Sequence, residues 1–157
     1  MKSVDLIRHR DSIRSAMGRA KDLGWDPELL GHWGRYLCIL AAGFLENTIR
    51  ILYSSHVERQ ASPSIATYVV AQLERIQNPK AGKFIEVAHT FDKKWADDLE
   101  AFLNVDDGRR KNAIDSIMNN RNLIAHGRSS NISVVQVREY FASASEGADY
   151  LESQLAP

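Results

Sequence analysis

The chain has 157 residues, which suits one domain with a core that needs neither disulfides nor metal. Lys plus Arg and Asp plus Glu are both 20, and this zero net charge excludes coating of nucleic acid by bulk charge, though not a local basic pocket. The single cysteine excludes a disulfide framework, and neither a signal peptide nor a run of about 18 apolar residues is seen, so the expectation is a cytoplasmic protein with no membrane contact.

Helical periodicity runs from end to end, with no repeat, low-complexity tract or linker, so residues 1–157 read as one domain. The first helix spans roughly 4–23, with Val4, Ile7, Ile13, Met17, Ala20 and Leu23 as its apolar positions. "DP" at 26–27 marks the start of the longest helix, roughly 27–55, whose stripe includes Leu37, Phe44, Leu45, Ile49 and Tyr53. Cys38 lies inside its apolar run "YLCILAAGF", surroundings that raise a thiol pKa and argue against a nucleophile. "SP" at 62–63 starts a third helix over 63–76, and "NP" at 78–79 marks a further start. "GKFIEVAHTF" and "DKKWADDLEAFL" read as two shorter helices, followed by a helix over "GRRKNAIDSIMNNRNLIAH". Ser133 and Gln136 form a capping box for a last helix over 134–154, although "VVQV" also suits a short strand. The fold class is all-α, an up-and-down helical bundle with additional short helices.

The segment "NNRNLIAHGRSS" at 119–130 is either an ordinary helix end or a candidate active site. Asn122 and His126 stand at i and i+4 and share a helix face. Arg121 points about 140° away from His126, and its long side chain reaches in from the edge. Gly127 is placed to end the helix in the left-handed conformation. A histidine followed by glycine is common helix-ending chemistry, so this reading stands beside a catalytic one.

"RNLIAHG" resembles the R-x4–6-H signature of the HEPN superfamily of all-α ribonucleases, including the polar residue after the arginine and the "AHG" ending. The specific likeness covers 121–127, while the helix pattern agrees over most of the chain. Within the superfamily the chain looks most similar to small stand-alone toxin and antiviral members. The resemblance implies metal-independent cleavage in which the RNA 2′-hydroxyl attacks its own phosphate, leaving a 2′,3′-cyclic phosphate. His126 would take the proton, Arg121 would hold the phosphorane oxygens, and Asn122 would orient His126 or bind phosphate. No cofactor is implied. A homodimer is expected, because one histidine does not readily act as base and acid in one step; Leu123, Ile124 or the last helix would lie near its interface. An antitoxin or regulatory protein is expected to restrain such an enzyme.

Glu46, in "FLENTIR", is a further catalytic candidate, since some relatives set a carboxylate from an earlier helix beside the pair. Its alternative is an i,i+4 pair with Arg50, worth about 0.3–0.5 kcal/mol. Arg109 and Arg110 of "GRRK", with Arg128, are candidates for a basic RNA-binding rim, against a solvated helix face. Ser129 and Ser130 suit phosphate contacts or turn capping. "EVAH" at 86–89 lacks the second copy that a di-iron bundle needs, and no glycine pattern fits a phosphate loop. Trp25, Trp33 and Trp95 are spread apart and read as core or interface residues rather than base-stacking platforms. The rival from another class is a non-catalytic HEPN-like interaction or dimerisation module.

Overall fold

Capping chemistry sets most of the helix starts in the computed structural model, which describes residues 3–157. Ser3 accepts the Leu6 N–H at the start of α1 (Val4–Gly18), which passes into a 3-10 turn (Arg19–Leu23). The turn stops at Gly24, whose φ of 71° suits glycine. Asp26 accepts N–H groups from Glu28 and Leu29, with Pro27 in the first turn, to open α2 (Pro27–Gln60). α3 (Pro63–Leu73) follows; Ser62 precedes it but makes no side-chain cap.

The "NP" expectation is corrected in detail. Asn78 adopts a left-handed φ of 49° and gives its N–H to the Glu46 carboxylate at 2.7 Å. Helix α4 (Ala81–Phe91) begins only after Pro79 and Lys80, and Asp115 from a later helix accepts the Ala81 N–H at 2.9 Å. Asp92 caps α5 (Lys93–Ala125), and the expected Ser133–Gln136 capping box opens α6 (Val134–Gln154), so "VVQV" is helix rather than strand. Among the described residues there is no strand, and the class is all-α.

α5 is bent. Val105, Asp106, Asp107 and Gly108 leave helical geometry, the last three with positive φ, which separates an arm over 93–104 from one over 109–125. The break falls where the sequence changes from "DLEAFL" to "GRRK".

α2 is the spine and packs against α1, α3, α5 and α6. Leu37, Phe44, Leu45, Ile49 and Tyr53 are fully buried, and they meet Ile117 and Met118 of α5 and Val137 and Leu151 of α6 in one core. By length and composition α2 also meets the criterion for a membrane span, which the sequence reading did not anticipate; 56% of that window is buried within the bundle, as befits a core helix.

Cys38 lies wholly inside, its thiol donating to the Ile117 carbonyl at 3.4 Å. Burial pushes the thiol up to about 12. Iodoacetamide at neutral pH is therefore expected to leave Cys38 unmodified in the native chain and to alkylate it after unfolding, which mass spectrometry would read. Rapid native labelling would contradict this burial.

Candidate active site at the end of α5

The second arm of α5 carries Arg121 and Asn122, both half-buried, and ends at exposed His126. The His126 N–H donates to the Asn122 carbonyl at 3.1 Å, so the two residues stand one turn apart. The helix then closes as a Schellman motif. Gly127 takes φ 67°, its N–H donates to Ile124 O, and the Arg128 N–H donates to Leu123 O at 2.8 Å. Two terminal carbonyls are satisfied in this way, and His126 is left at the rim of the bundle.

The segment leaving this end is strapped down on two sides. Ser130 donates through its hydroxyl to Asn120 Oδ1 at 2.8 Å, one residue before Arg121. Its carbonyl accepts from Arg35 of α2 at 3.4 Å. Gly34 lets the strap come close, because a Cβ there would lie 2.6 Å from the Ile132 carbonyl. Among the described residues, none bonds or pairs with the side chains of Arg121, Asn122, His126 or Arg128. These groups are free to meet a ligand: a planar guanidinium suited to phosphate oxygens, an amide, and an imidazole with ring nitrogens that can donate or accept hydrogen bonds.

The other site candidates lie elsewhere. Glu46 binds Arg50 at 3.0 Å and the Asn78 N–H, while Arg50 donates to the Ile76 carbonyl at 2.6 Å, so the pair fastens the α3–α4 connection to α2. Cys38 meets Ile117, and Arg35 meets Ser130, which bonds Asn120, so α2 runs antiparallel to the second arm of α5. Glu46 lies about 12 Å beyond Cys38 in the direction away from His126. The structure thus separates Glu46 from the motif.

Arg109 and Arg110 are also drawn away. Both bind Glu146 of α6, at 2.9 and 2.6 Å, and Arg109 donates to Ser143 as well. Arg110 lies over the Phe102 ring at 4.3 Å and donates to the Phe102 carbonyl across the bend. Hydrogen bonds from Arg109, and then from Arg110, hold the Glu146 carboxyl below its ordinary range. This clasp joins both arms of α5 to α6, about 16 Å along the axis from Arg121. Lys111 pairs with Asp115. Of the expected basic rim, Arg128 alone lies at the motif.

One part of this end of the molecule escapes sequence inspection. A cavity of about 780 Å³ opens between the 3-10 turn, the start of α2 and the start of α6, with Trp25, Arg35, Ile132 and Arg138 in its wall. Its parts come from distant segments, Arg35 and Ser130 being 95 positions apart, so no local pattern announces it. Trp25, expected in a core or interface, is 94% exposed.

Over residues 5–156 the chain matches the family model described as RiboL-PSP-HEPN. No curated protein and no solved structure matches it.

Proposed function

We propose a ribonuclease function from one premise: the chain belongs to the RiboL-PSP-HEPN family, and so to the HEPN superfamily. That membership favours an RNA-related role. The observation that carries the finer reading is the group Arg121, Asn122 and His126 on the last turns of α5, whose side chains have no partner among the described residues. In this reading the chain is a metal-independent endoribonuclease. His126 takes the proton from a ribose 2′-hydroxyl as the 2′-oxygen bonds to phosphorus. The P–O5′ bond breaks, the 5′-oxygen receives a proton, and a 2′,3′-cyclic phosphate remains. Arg121 holds the non-bridging oxygens as charge builds on them.

The proton for the 5′-oxygen is assigned to His126 of a second copy, so the reading includes a homodimer. Half-buried Leu123 and the exposed side of α6 are the surfaces offered to it. The resemblance to small stand-alone members extends the reading to a toxin or antiviral effector held by a regulatory protein.

The test is incubation of the purified chain with total RNA in EDTA, followed by end analysis. Fragments ending in 2′,3′-cyclic phosphate and 5′-hydroxyl are expected. Intact RNA, or cleavage that EDTA abolishes, would sink the proposal, and intact RNA would favour a helical interaction module.

A further inference from the structure

We propose that the cavity beside the end of α5 seats an unpaired nucleotide of the same RNA strand, an inference that rests on the ribonuclease reading above. Five observations converge on it.

The cavity's volume, about 780 Å³, falls within the range of small-molecule sites, roughly 300–1,000 Å³. Its wall is largely apolar, with Leu30, Ile132, Val134 and Val135 contributing, which suits a base face better than a folded duplex. At its edge stands Trp25. An indole left 94% exposed covers nothing in its own chain and offers a stacking platform.

Charge favours a polyanion. Lys21, Arg35 and Arg138 line the cavity against a single carboxylate, Glu28. Arg35 is positioned by the Ser130 carbonyl and His32 Nδ1, and Arg138 by the Met17 carbonyl at 3.4 Å. These contacts orient the guanidinium groups without a carboxylate to cancel their charge. Elsewhere Arg10, Arg50, Arg109 and Arg110 all hold carboxylates. Among the described residues Arg35 and Arg138 hold no carboxylate, which leaves cationic charge at the cavity wall.

Continuity joins the cavity to the motif. Asn131, Ile132 and Ser133 form part of its wall, and they directly continue the turn through Gly127 and Arg128. The Ser130–Asn120 bond draws that wall against α5 next to Arg121. A strand whose phosphate lies at Arg121 and His126 therefore passes Arg128 and reaches the cavity with a neighbouring nucleotide. The cavity would then select for single-stranded substrate, since a paired base cannot enter it.

The test titrates each nucleoside 5′-monophosphate into the full chain and reads indole fluorescence. Saturable quenching is expected; Trp25→Ala should abolish it, and Arg138→Gln should weaken binding about 10-fold. Both residues are exposed, and circular dichroism would verify folding of each variant. In RNA cleavage, Trp25→Ala should lower kcat/KM about 10-fold. Quenching that survives Trp25→Ala, or no quenching by any nucleotide, overturns the proposal. So does self-association that Trp25→Ala abolishes without nucleotide quenching, which would assign this face to a second copy. Quenching without RNA cleavage would sink the ribonuclease reading alone. Cleavage without quenching would sink the nucleotide site alone.

Discussion

Replacing His126 with alanine is expected to lower RNA cleavage by about 100-fold or more while leaving the chain folded. His126 is exposed, and the bond that places it is its backbone N–H to Asn122, which alanine keeps. Gly127 still ends the helix, so the stability change should stay within about 0.5 kcal/mol. Arg121→Ala should be similarly severe, because in the proposed mechanism it removes the cation assigned to the phosphorane. Arg121→Lys should recover little, since an ammonium lacks the planar fork. The measurement is cleavage of a labelled RNA in EDTA beside thermal melts of each variant. A doubly substituted His126→Ala, Arg121→Ala chain that cleaved RNA at the native rate would end the proposed mechanism.

The second large effect is structural and falls on Gly34. A methyl group there would sit 2.6 Å from the Ile132 carbonyl and 3.1 Å from the Ser133 carbonyl carbon and Val134 nitrogen. All three are backbone atoms, so no side chain can turn aside. The strap must lift from α2, disturbing the Arg35–Ser130 bond and the start of α6. Gly34→Ala should cost about 1–3 kcal/mol, despite alanine's better helix propensity. That corresponds to a melting temperature lower by about 2–12 °C in a domain of this size. Gly43→Ala on the same helix is the control, because its methyl meets nothing within 4 Å and should stabilise by about 0.5–1 kcal/mol. Equal melting temperatures for the two variants would refute the close approach. Gly34→Ala should also slow RNA cleavage, since the strap anchors the turn that holds His126.

The parts of the molecule governed by local chemistry were legible in the sequence. The Ser133–Gln136 box, the glycine stop at Gly127 and the break before "GRRK" each depend on residues within a few positions, and all three are present. Ser62 and Asn78 show the limit of such signals. Each precedes a proline as a cap should, yet Ser62 makes no cap, and Asn78 is left-handed and gives its N–H to Glu46, 32 positions away. Arg109 and Arg110 read as a basic rim for the same reason. Their partner Glu146 lies on α6, beyond the reach of any local pattern. Of the two readings of Trp25, core or interface, its exposure excludes the core. Its apolar character suggests burial, but the Gly24 turn holds it outside the core.

The second arm of α5 is bracketed by left-handed glycines, Gly108 at φ 74° and Gly127 at φ 67°. Between them its phase is locked: Asp115 holds α4, the Ile117 carbonyl takes the Cys38 thiol, and Asn120 takes Ser130. The arm therefore works as a ruler as well as a scaffold. Each residue advances it about 1.5 Å and rotates it about 100°. A single insertion or deletion between the brackets would thus swing Arg121 and His126 about a quarter-turn off the strap and the cavity, even with every side chain unchanged. The spacing from Gly108 to Gly127 is a structural parameter in its own right, as restrictive as the identity of the residues it aims.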